Sequence, residues 1–436
     1  MSAILAGCMG TDLAETTRNA FSGASPDKQA TSDAAKAQPA LAGGTGGTGE
    51  NASSLIIDGL LDRQSVLGSG NSYSKVAGAV LAANSRAAEA ELRSAKLRAQ
   101  AASKNWLPTI GPNLSLTSLG EVVAGMLIDQ VLFANGRKKA ERQFAKADVE
   151  VAAVVLAEDT NDRVLTALDL YISAEEARAK ARAGDDVLTQ MERFAYIMQR
   201  RVEGGVSDRA DLQVTRQKLA EIESNRASDA QAAATAVAEL NAMSLTPLDG
   251  VRGLAAIKTP SATAKPLAVL KAEAERERAV AQATIDRSGF LPTVSARGNV
   301  AKGGSSASID VAAENPIGFG TGASLKAIEA AREAASRKVD QADEDSARVL
   351  RRLEQQLIAL EQKQASSELL VSQANENLAL FERQYKAGVR PVMDVVRVYE
   401  TKVRVEREQI GYAFKAAAVR LKVAAELGVL VDGADI

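Results

Sequence analysis

The sequence has no histidine, a single cysteine and only 3% aromatic residues among its 436 residues. The absence of histidine removes the commonest general base and the commonest metal ligand. One cysteine excludes an intrachain disulfide and a cysteine-rich metal site. No run of about 18 apolar residues occurs, so no transmembrane helix is predicted. Because no phosphate loop, paired metal ligands or catalytic constellation is visible, we expect neither an enzyme nor a cofactor or metal site.

The charges are nearly balanced, with 53 basic and 55 acidic residues and a formal net charge of −2. A nucleic-acid-binding protein needs a basic surface, so we expect no nucleic-acid partner. Alanine, glutamate, lysine, arginine and glutamine dominate the sequence. This composition is typical of long helices and coiled coils, whose narrow seams pack small and aliphatic side chains.

The chain contains the same pattern twice. The segment 106–110 (WLPTI) returns 184 residues later as 290–294 (FLPTV). A Gly-Val pair followed by an Asp, at 205–212, returns 183 residues later at 388–395. Two landmarks that keep their spacing over about a hundred residues indicate a tandem duplication of one large unit.

The single cysteine, Cys8, follows Leu5-Ala6-Gly7 and resembles a bacterial lipobox, in which the cysteine is lipidated. The alternative is an incidental cysteine near a disordered end. Only seven residues precede Cys8, without a basic region, so 1–8 resembles a truncated signal. Residues 9–73, which begin with a stretch rich in Ala, Ser, Thr, Gly and Asp, are predicted to form a flexible tether.

Each copy has a segment in which apolar and polar residues alternate with period two. This alternation predicts one β-hairpin at 107–133 and a second at 291–322, with a turn at 303–306 (GGSS). Strands of about ten residues are long enough to cross a bilayer when tilted. Ile110 and Leu114 would form an apolar face. Thr109, Ser115, Ser308 and Asp310 are candidates for lining the interior of a barrel.

Very long helices follow both hairpins, because 137–202 has no proline and 324–386 has neither proline nor glycine. About 65 helical residues span on the order of 100 Å, and helices of that length need partner helices. Each long helix is predicted to end at a glycine turn, Gly204-Gly205 or Gly388. The further predicted segments are a helix at 74–104, return helices at 208–243 and 392–428, a linker at 244–263 and a tail at 431–436. The first repeat is therefore 74–243 and the second is 264–430.

Four strands cannot close a barrel alone, and closure is obligatory in lipid. Other copies of the chain must therefore complete the barrel: two copies give eight strands and three give twelve. The predicted fold is mostly α, with long antiparallel helical hairpins forming an α-barrel below a small β-barrel.

The segment 127–137 (LIDQVLFANGR), with Gly136 before basic residues, resembles the strand-to-helix passage of TolC-like outer-membrane channels. The repeated Leu-Pro-Thr and Gly-to-Asp turns also resemble that family, and the resemblance covers 74–430. It implies a homotrimer with a twelve-stranded barrel in outer-membrane lipid and a helical tunnel in the periplasm of a Gram-negative bacterium. It further implies a passive exit duct for efflux or type I secretion, with a periplasmic adaptor and an inner-membrane transporter as partners. Several members are lipoproteins, which fits Cys8.

The strands depart from the family pattern in having almost no Tyr or Trp, so the aromatic girdle is thin. Trp106 and Phe290, just before the strands, partly fill this role.

The resemblance also implies a gate at the periplasmic tip, in which a Tyr and an Arg of the second turn bond to an Asp of the first. The matching residues are Tyr385, Arg390 and Asp211. Alternatively, Tyr385 only packs, while Asp211 and Asp394 cap or solvate helix ends. A ring of Asp394 carboxylates would favour cations, whereas Arg397 stands where some members carry a second acidic ring.

Two other protein classes remain as alternatives. A periplasmic coiled-coil adaptor would carry lipoyl-like and β-barrel segments around one helical hairpin, whereas this sequence has two hairpins. A cytosolic coiled-coil scaffold would not need two period-two segments at equivalent positions. The sequence therefore favours the channel.

Overall fold

The computed structural model describes residues 54–83, 87–116, 122–258, 264–301 and 304–435. Cys8 and most of the predicted tether lie outside these ranges, so lipidation of Cys8 stays a prediction.

Within the described ranges the chain forms eight α-helices, four β-strands and one short 3-10 helix. The helices are α1 (Leu55–Leu61), α2 (Ser72–Ala82), α3 (Ala87–Ser103), α4 (Arg137–Glu203), α5 (Arg209–Ala242), α6 (Leu267–Ser288), α7 (Thr321–Lys386) and α8 (Val392–Glu426). The strands are β1 (Thr109–Leu116), β2 (Val122–Phe133), β3 (Thr293–Ala301) and β4 (Gly304–Ala312), and the 3-10 helix is Gly433–Asp435.

The helices confirm the predicted mostly-α class with two long antiparallel hairpins, α4–α5 and α7–α8. The long helices α4 and α7 have 67 and 66 residues, and at 1.5 Å per residue each spans about 100 Å. The buried stripe of α4 is rich in alanine and valine, which lets neighbouring helices pack closely. None of the described helices is both long and apolar enough to cross a membrane.

The four strands form one antiparallel sheet in the order β1-β2-β3-β4. The two sequence repeats of the chain therefore join through the pairing of β2 with β3. The predicted turn at 303–306 was placed too late. Ser305 and Ser306 already belong to β4, where they pair with Val300 and Asn299. Two glycines followed by two serines suggest a turn, but cross-strand pairing overrides this weak local preference.

The main core lies midway along α4, where Tyr73 of α2 packs edge-on against Tyr171 with ring centroids 6.0 Å apart. Part of the predicted tether belongs to this core, because Val66 and Leu67 are buried in it, and Leu60 is buried in a neighbouring cluster. The tether prediction is therefore wrong from residue 54 onward. The apolar residues among 54–73 bury surface, which stabilises them against the helices.

Three other segments also differ from the sequence prediction. The predicted helix 74–104 is divided between α2 and α3. The predicted linker packs on α4, since the Tyr171 hydroxyl donates to the Gly253 carbonyl at 2.7 Å. The predicted tail contains buried Val431 and ends in the 3-10 helix. Each segment supplies apolar residues or backbone groups that α4 and its neighbours cover.

Candidate functional site

The turn between α4 and α5 ends α4 with a glycine in the left-handed conformation. Gly205 has φ 71°, a region that only glycine adopts at little cost. The Val206 N–H donates to the Arg201 carbonyl at 2.8 Å, and the Gly205 N–H donates to the Val202 carbonyl at 3.1 Å. These bonds satisfy carbonyls that a helix end otherwise leaves unpaired. Gly204 has an ordinary negative φ, so of the two predicted glycines only Gly205 requires its residue type.

The turn between α7 and α8 repeats this geometry. Gly388 has φ 72°. The Val389 N–H donates to the Gln384 carbonyl and the Gly388 N–H donates to the Tyr385 carbonyl, both at 2.9 Å. Each bond lies 183 residues after its counterpart, so the duplication extends to single hydrogen bonds.

One side-chain bond is conserved between the two turns with its donor and acceptor positions exchanged. In the first turn, Arg201 Nε donates to Ser207 Oγ at 3.1 Å. In the second, Arg390 Nε donates to Gln384 Oε1 at 2.5 Å. Positions 201 and 207 correspond to 384 and 390, so each turn is tied by one arginine. The second turn carries its arginine on the loop, where it is available for a further contact.

Arg390 makes two more contacts within its own hairpin. Its Nη1 lies 3.3 Å from Asp394 Oδ2, and its guanidinium carbon lies 4.2 Å from the ring centroid of Phe381. The second contact is a cation–π interaction, which holds the planar guanidinium against the ring. Asp394 is therefore paired with a cation. No pattern in the sequence indicates that Phe381 or Gln384 takes part in this arrangement.

Tyr385 connects the two turns, because the Arg201 guanidinium lies 5.9 Å from the centroid of the Tyr385 ring.

Asp211 does not meet Arg390 within one chain. Its carboxylate has no hydrogen-bond or ion-pair partner among the described residues. The cap of α5 is Asp208, whose Oδ1 accepts from the Ala210 N–H at 3.1 Å. The predicted bond between Asp211 and Arg390 would therefore have to join neighbouring copies of the chain.

Beneath the turns lies an apolar cluster formed by α4, α7 and α8, with residues of α5 against it. Phe194 and Tyr399 meet edge to face with ring centroids 5.7 Å apart, a favoured aromatic geometry. Burial raises the pKa of Tyr399 to about 12, and the nearby charges of Glu406, Asp186 and Glu382 act in the same direction. The turns thus rest on a packed base.

Arg397 lies on the exposed side of α8, one turn beyond Asp394. No acceptor among the described residues bonds its guanidinium.

A second polar site lies on one face of the sheet, where Arg297 of β3 stands between two carboxylates. Its Nε is 3.2 Å from Asp129 Oδ2, and its Nη1 is 3.3 Å from Asp310 Oδ2.

Two of the predicted lining residues lie on this face. Ser308 donates to Asp310 at 3.1 Å, and Thr109 lies opposite Asp129 in the register. Ser115 pairs in register with Val123. No local sequence pattern indicates the pair of Asp129 and Arg297, because their proximity depends on the pairing of β2 with β3.

The strand-to-helix passage before α4 also joins the two sequence repeats within the chain. Gly136 has φ 85°, and Asn135 before it has φ 48°. The Asn135 side-chain amide donates to the Pro292 carbonyl at 2.8 Å, within the Leu-Pro-Thr motif of the second copy. Arg137 forms an ion pair with Glu314 of the second repeat.

The described residues contain no group of three or more acidic or cysteine side chains that could hold a metal ion.

Comparison with known proteins gives a match in structure but not in sequence. No protein-family model matches the chain, and no curated protein matches it. A membrane protein from Pseudomonas aeruginosa superposes with a TM-score of 0.73 at 15% identity, over 85% of this chain and 92% of that one. The outer membrane protein VceC from Vibrio cholerae gives 0.70 at 15% identity, over 82% and 96%. The CmeC outer membrane channel of Campylobacter jejuni gives 0.69 at 12% identity, over 82% and 86%.

More than four fifths of each chain is matched in these three comparisons. Identities this low establish the fold alone. The predicted resemblance is confirmed at this level, and the chain has the fold of TolC-like outer-membrane channels.

Proposed function

We propose that this protein is an outer-membrane channel that extends into the periplasm of a Gram-negative bacterium and acts as the exit duct of a tripartite efflux or type I secretion system. In this proposal it is a homotrimer that works with a periplasmic adaptor and an inner-membrane transporter. The observation that carries the proposal is the four-stranded sheet, which has an exposed apolar face and two open edges.

Among the strands that the structure describes, β1 and β4 form the edges of the sheet and are each paired on one side only. In hydrocarbon every backbone N–H and C=O must find a partner, so only a closed barrel is stable there. Four strands are too few to close. Three copies joined edge to edge would give the twelve strands that the family implies.

The apolar face of the sheet suits lipid rather than water. Ile110 and Leu114 of β1 are 62% and 72% exposed, and Ile309 and Val311 of β4 are 70% and 65% exposed. The register places Ile110 opposite Ile128 and Val311 opposite Val294, so the apolar residues share one face across the sheet. An exposed apolar patch this extensive marks a surface that another phase or molecule covers.

The helix α7 supports assembly from several copies. Only five of its 66 residues are buried, whereas α4, of similar length, buries 24. Leu369 and Leu370 of α7 are 62% and 51% exposed. A long helix needs packing along its length, and neighbouring copies would supply that packing here.

The alternative of a periplasmic coiled-coil adaptor or scaffold accounts for the helices but not for the sheet. It gives no reason for an apolar face and open edges on strands of eight to twelve residues. The solved structures that share this fold are membrane proteins and channels, which supports a role without catalysis.

The channel proposal predicts stepwise conductance when the purified full-length chain is added to planar lipid bilayers. A closed barrel supplies an aqueous path, whereas a coiled-coil scaffold supplies none. The absence of stepwise conductance with a correctly folded, trimeric preparation would contradict the proposal.

The gate is proposed at the turns, with Arg390 of one copy bonded to Asp211 of the next. Arg390 uses Nε and Nη1 within its own hairpin, and no described residue bonds its Nη2. The Asp211 carboxylate is half-buried and has no partner among the described residues. Both groups therefore have hydrogen-bonding capacity for a neighbouring copy, and a charge-assisted bond between them would hold adjacent turns together.

This gate predicts that Arg390→Ser and Asp211→Ala each raise single-channel conductance, because each removes one side of the same attraction. The double variant should add less than the sum of the two. A partly solvated pair contributes about 1 kcal/mol, so the rise should be modest. Arg348→Ser and Asp345→Ala, which break an exposed ion pair within α7, serve as controls. Wild-type conductance in both turn variants would place the lock elsewhere.

A further inference from the structure

The two turns carry a surplus of positive charge that the rest of the chain does not share. Residues 200–216 and 383–397 together contain eight basic and four acidic residues, although the whole chain has a net charge of −2. Three assembled copies would bring these surpluses to one end of the molecule. Charges of one sign that line a narrow passage set the local potential and the local ion concentration.

Few of these basic groups are neutralised by the residues that the structure describes. Glu203 pairs with Arg200 at 3.2 Å and Asp394 pairs with Arg390 at 3.3 Å. Asp208 is bonded to the end of α5. Six basic residues have no carboxylate partner among the described residues: Arg201, Arg209, Arg216, Arg383, Lys386 and Arg397.

The concave side of the helical layer can be identified from contacts over α4. Both α5 and α8 pack on α4, at an interaxial distance of about 8–10 Å for packed helices. Side chains of α5 and α8 nevertheless meet directly: Arg407 Nη1 lies 2.6 Å from Asp229 Oδ2, and Lys218 Nζ lies 3.5 Å from Glu400 Oε1. Two helices that flank a third can meet only where the layer is concave. A layer that surrounds a channel turns its concave side to the channel.

Arg397 belongs to that concave side. A groove of about 630 Å³ lies between α5 and α8, and Lys218, Thr401 and Arg404 line it. Thr401 lies one helical turn after Arg397, and its hydroxyl donates to the Arg397 carbonyl at 3.0 Å. The side chains of Arg397, Thr401 and Arg404 form one exposed stripe along α8, because residues three and four apart share a helix face.

We propose that the tip of this channel selects anionic solutes, namely organic molecules that carry carboxylate, sulfonate or phosphate groups. This inference rests on the proposed channel function. Three Arg397 guanidinium groups would form a ring at the narrow end, while the Asp394 carboxylates beside them are each paired with Arg390. Rings of arginine or lysine favour anions in pores. The polar face of the sheet, with Asp129, Arg297 and Asp310, belongs to the proposed barrel and not to the turns.

The test is the reversal potential of the trimeric wild-type protein in planar bilayers under a potassium chloride gradient. We expect chloride to permeate better than potassium, and Arg397→Glu to lower the chloride-to-potassium permeability ratio severalfold. Arg193→Glu is the matched control. The Arg193→Glu substitution changes the charge by the same amount as Arg397→Glu. Arg193 precedes Phe194 at the level of the apolar cluster, but it lies on the exposed face of α4, away from α5 and α8.

The chloride-to-potassium permeability ratio of the Arg193→Glu variant should stay within about twofold of the wild-type ratio. Charges on the outer face are screened over about 10 Å. A wild-type channel that prefers potassium would overturn the inference. So would equal shifts for Arg397→Glu and Arg193→Glu. Each of these results requires a conducting channel, whereas a folded trimer that never conducts contradicts the proposed function itself.

Discussion

At the scale of single residues, the two turns depend on one glycine each. Gly205 and Gly388 have φ near 70°, and an added Cβ at either position would meet nothing within 4 Å. The requirement for glycine is therefore a requirement of the backbone, which costs other residues about 1–2 kcal/mol in this conformation. The Gly-Val spacing made both turns predictable from sequence. The partners of Arg390 were not predictable, because they depend on how its side chain lies against Phe381.

Tyr399 provides a test of the packing beneath the turns. Burial, with the nearby charges of Glu406, Asp186 and Glu382, raises its pKa from 10.0 to about 12. Between pH 10 and 12 the unfolded state loses this proton while the folded state keeps it, so the free energy of unfolding falls as the pH rises. The loss from a two-unit shift is about 2–3 kcal/mol, complete only above the folded pKa.

The measurement is the tyrosinate absorbance of the wild type minus that of Tyr399→Phe as a function of pH. The phenylalanine ring keeps the contact with Phe194, so the variant should remain folded and lose less stability in alkali. A difference titration centred near pH 10 would mean that this cluster is open to solvent.

At the scale of elements, the sequence predicted best where one residue type controls the outcome. The first long helix was predicted at 137–202 and runs from Arg137 to Glu203, because no proline interrupts it and a glycine turn ends it. Its return helix was predicted at 208–243 and runs from Arg209 to Ala242. Alternation gave both hairpins, since period two identifies a strand with two different faces.

The elements that were missed depend on a surface contributed by distant parts of the chain. Residues 54–73 follow the polar stretch and were predicted as part of the same tether, yet Arg63 donates to the carbonyls of Leu427 and Lys265 at 2.6 and 2.8 Å. The linker is held in the same way by Glu175, which accepts from the Gly253 N–H at 2.7 Å. Local composition carries no information about such partners, which lie up to several hundred residues away.

At the scale of the whole molecule, the proposed trimer accounts for surfaces that the described part of a single chain leaves uncovered. Within that part, the sheet has two open edges and an exposed apolar face, and α7 is largely uncovered. Three copies would pair the edges, cover α7 and bring six turns together at one end. Each repeat supplies two strands and one helical hairpin, so the three chains of the proposed trimer would give a ring of six similar units.

The most direct test of this account is the mass of the detergent-solubilised protein, measured by light scattering with the detergent contribution subtracted. We predict a single species of three chains of 45.6 kDa each, which depends on detergent because the apolar face of the barrel must be covered. A well-folded single chain that stays in solution without detergent would contradict the account.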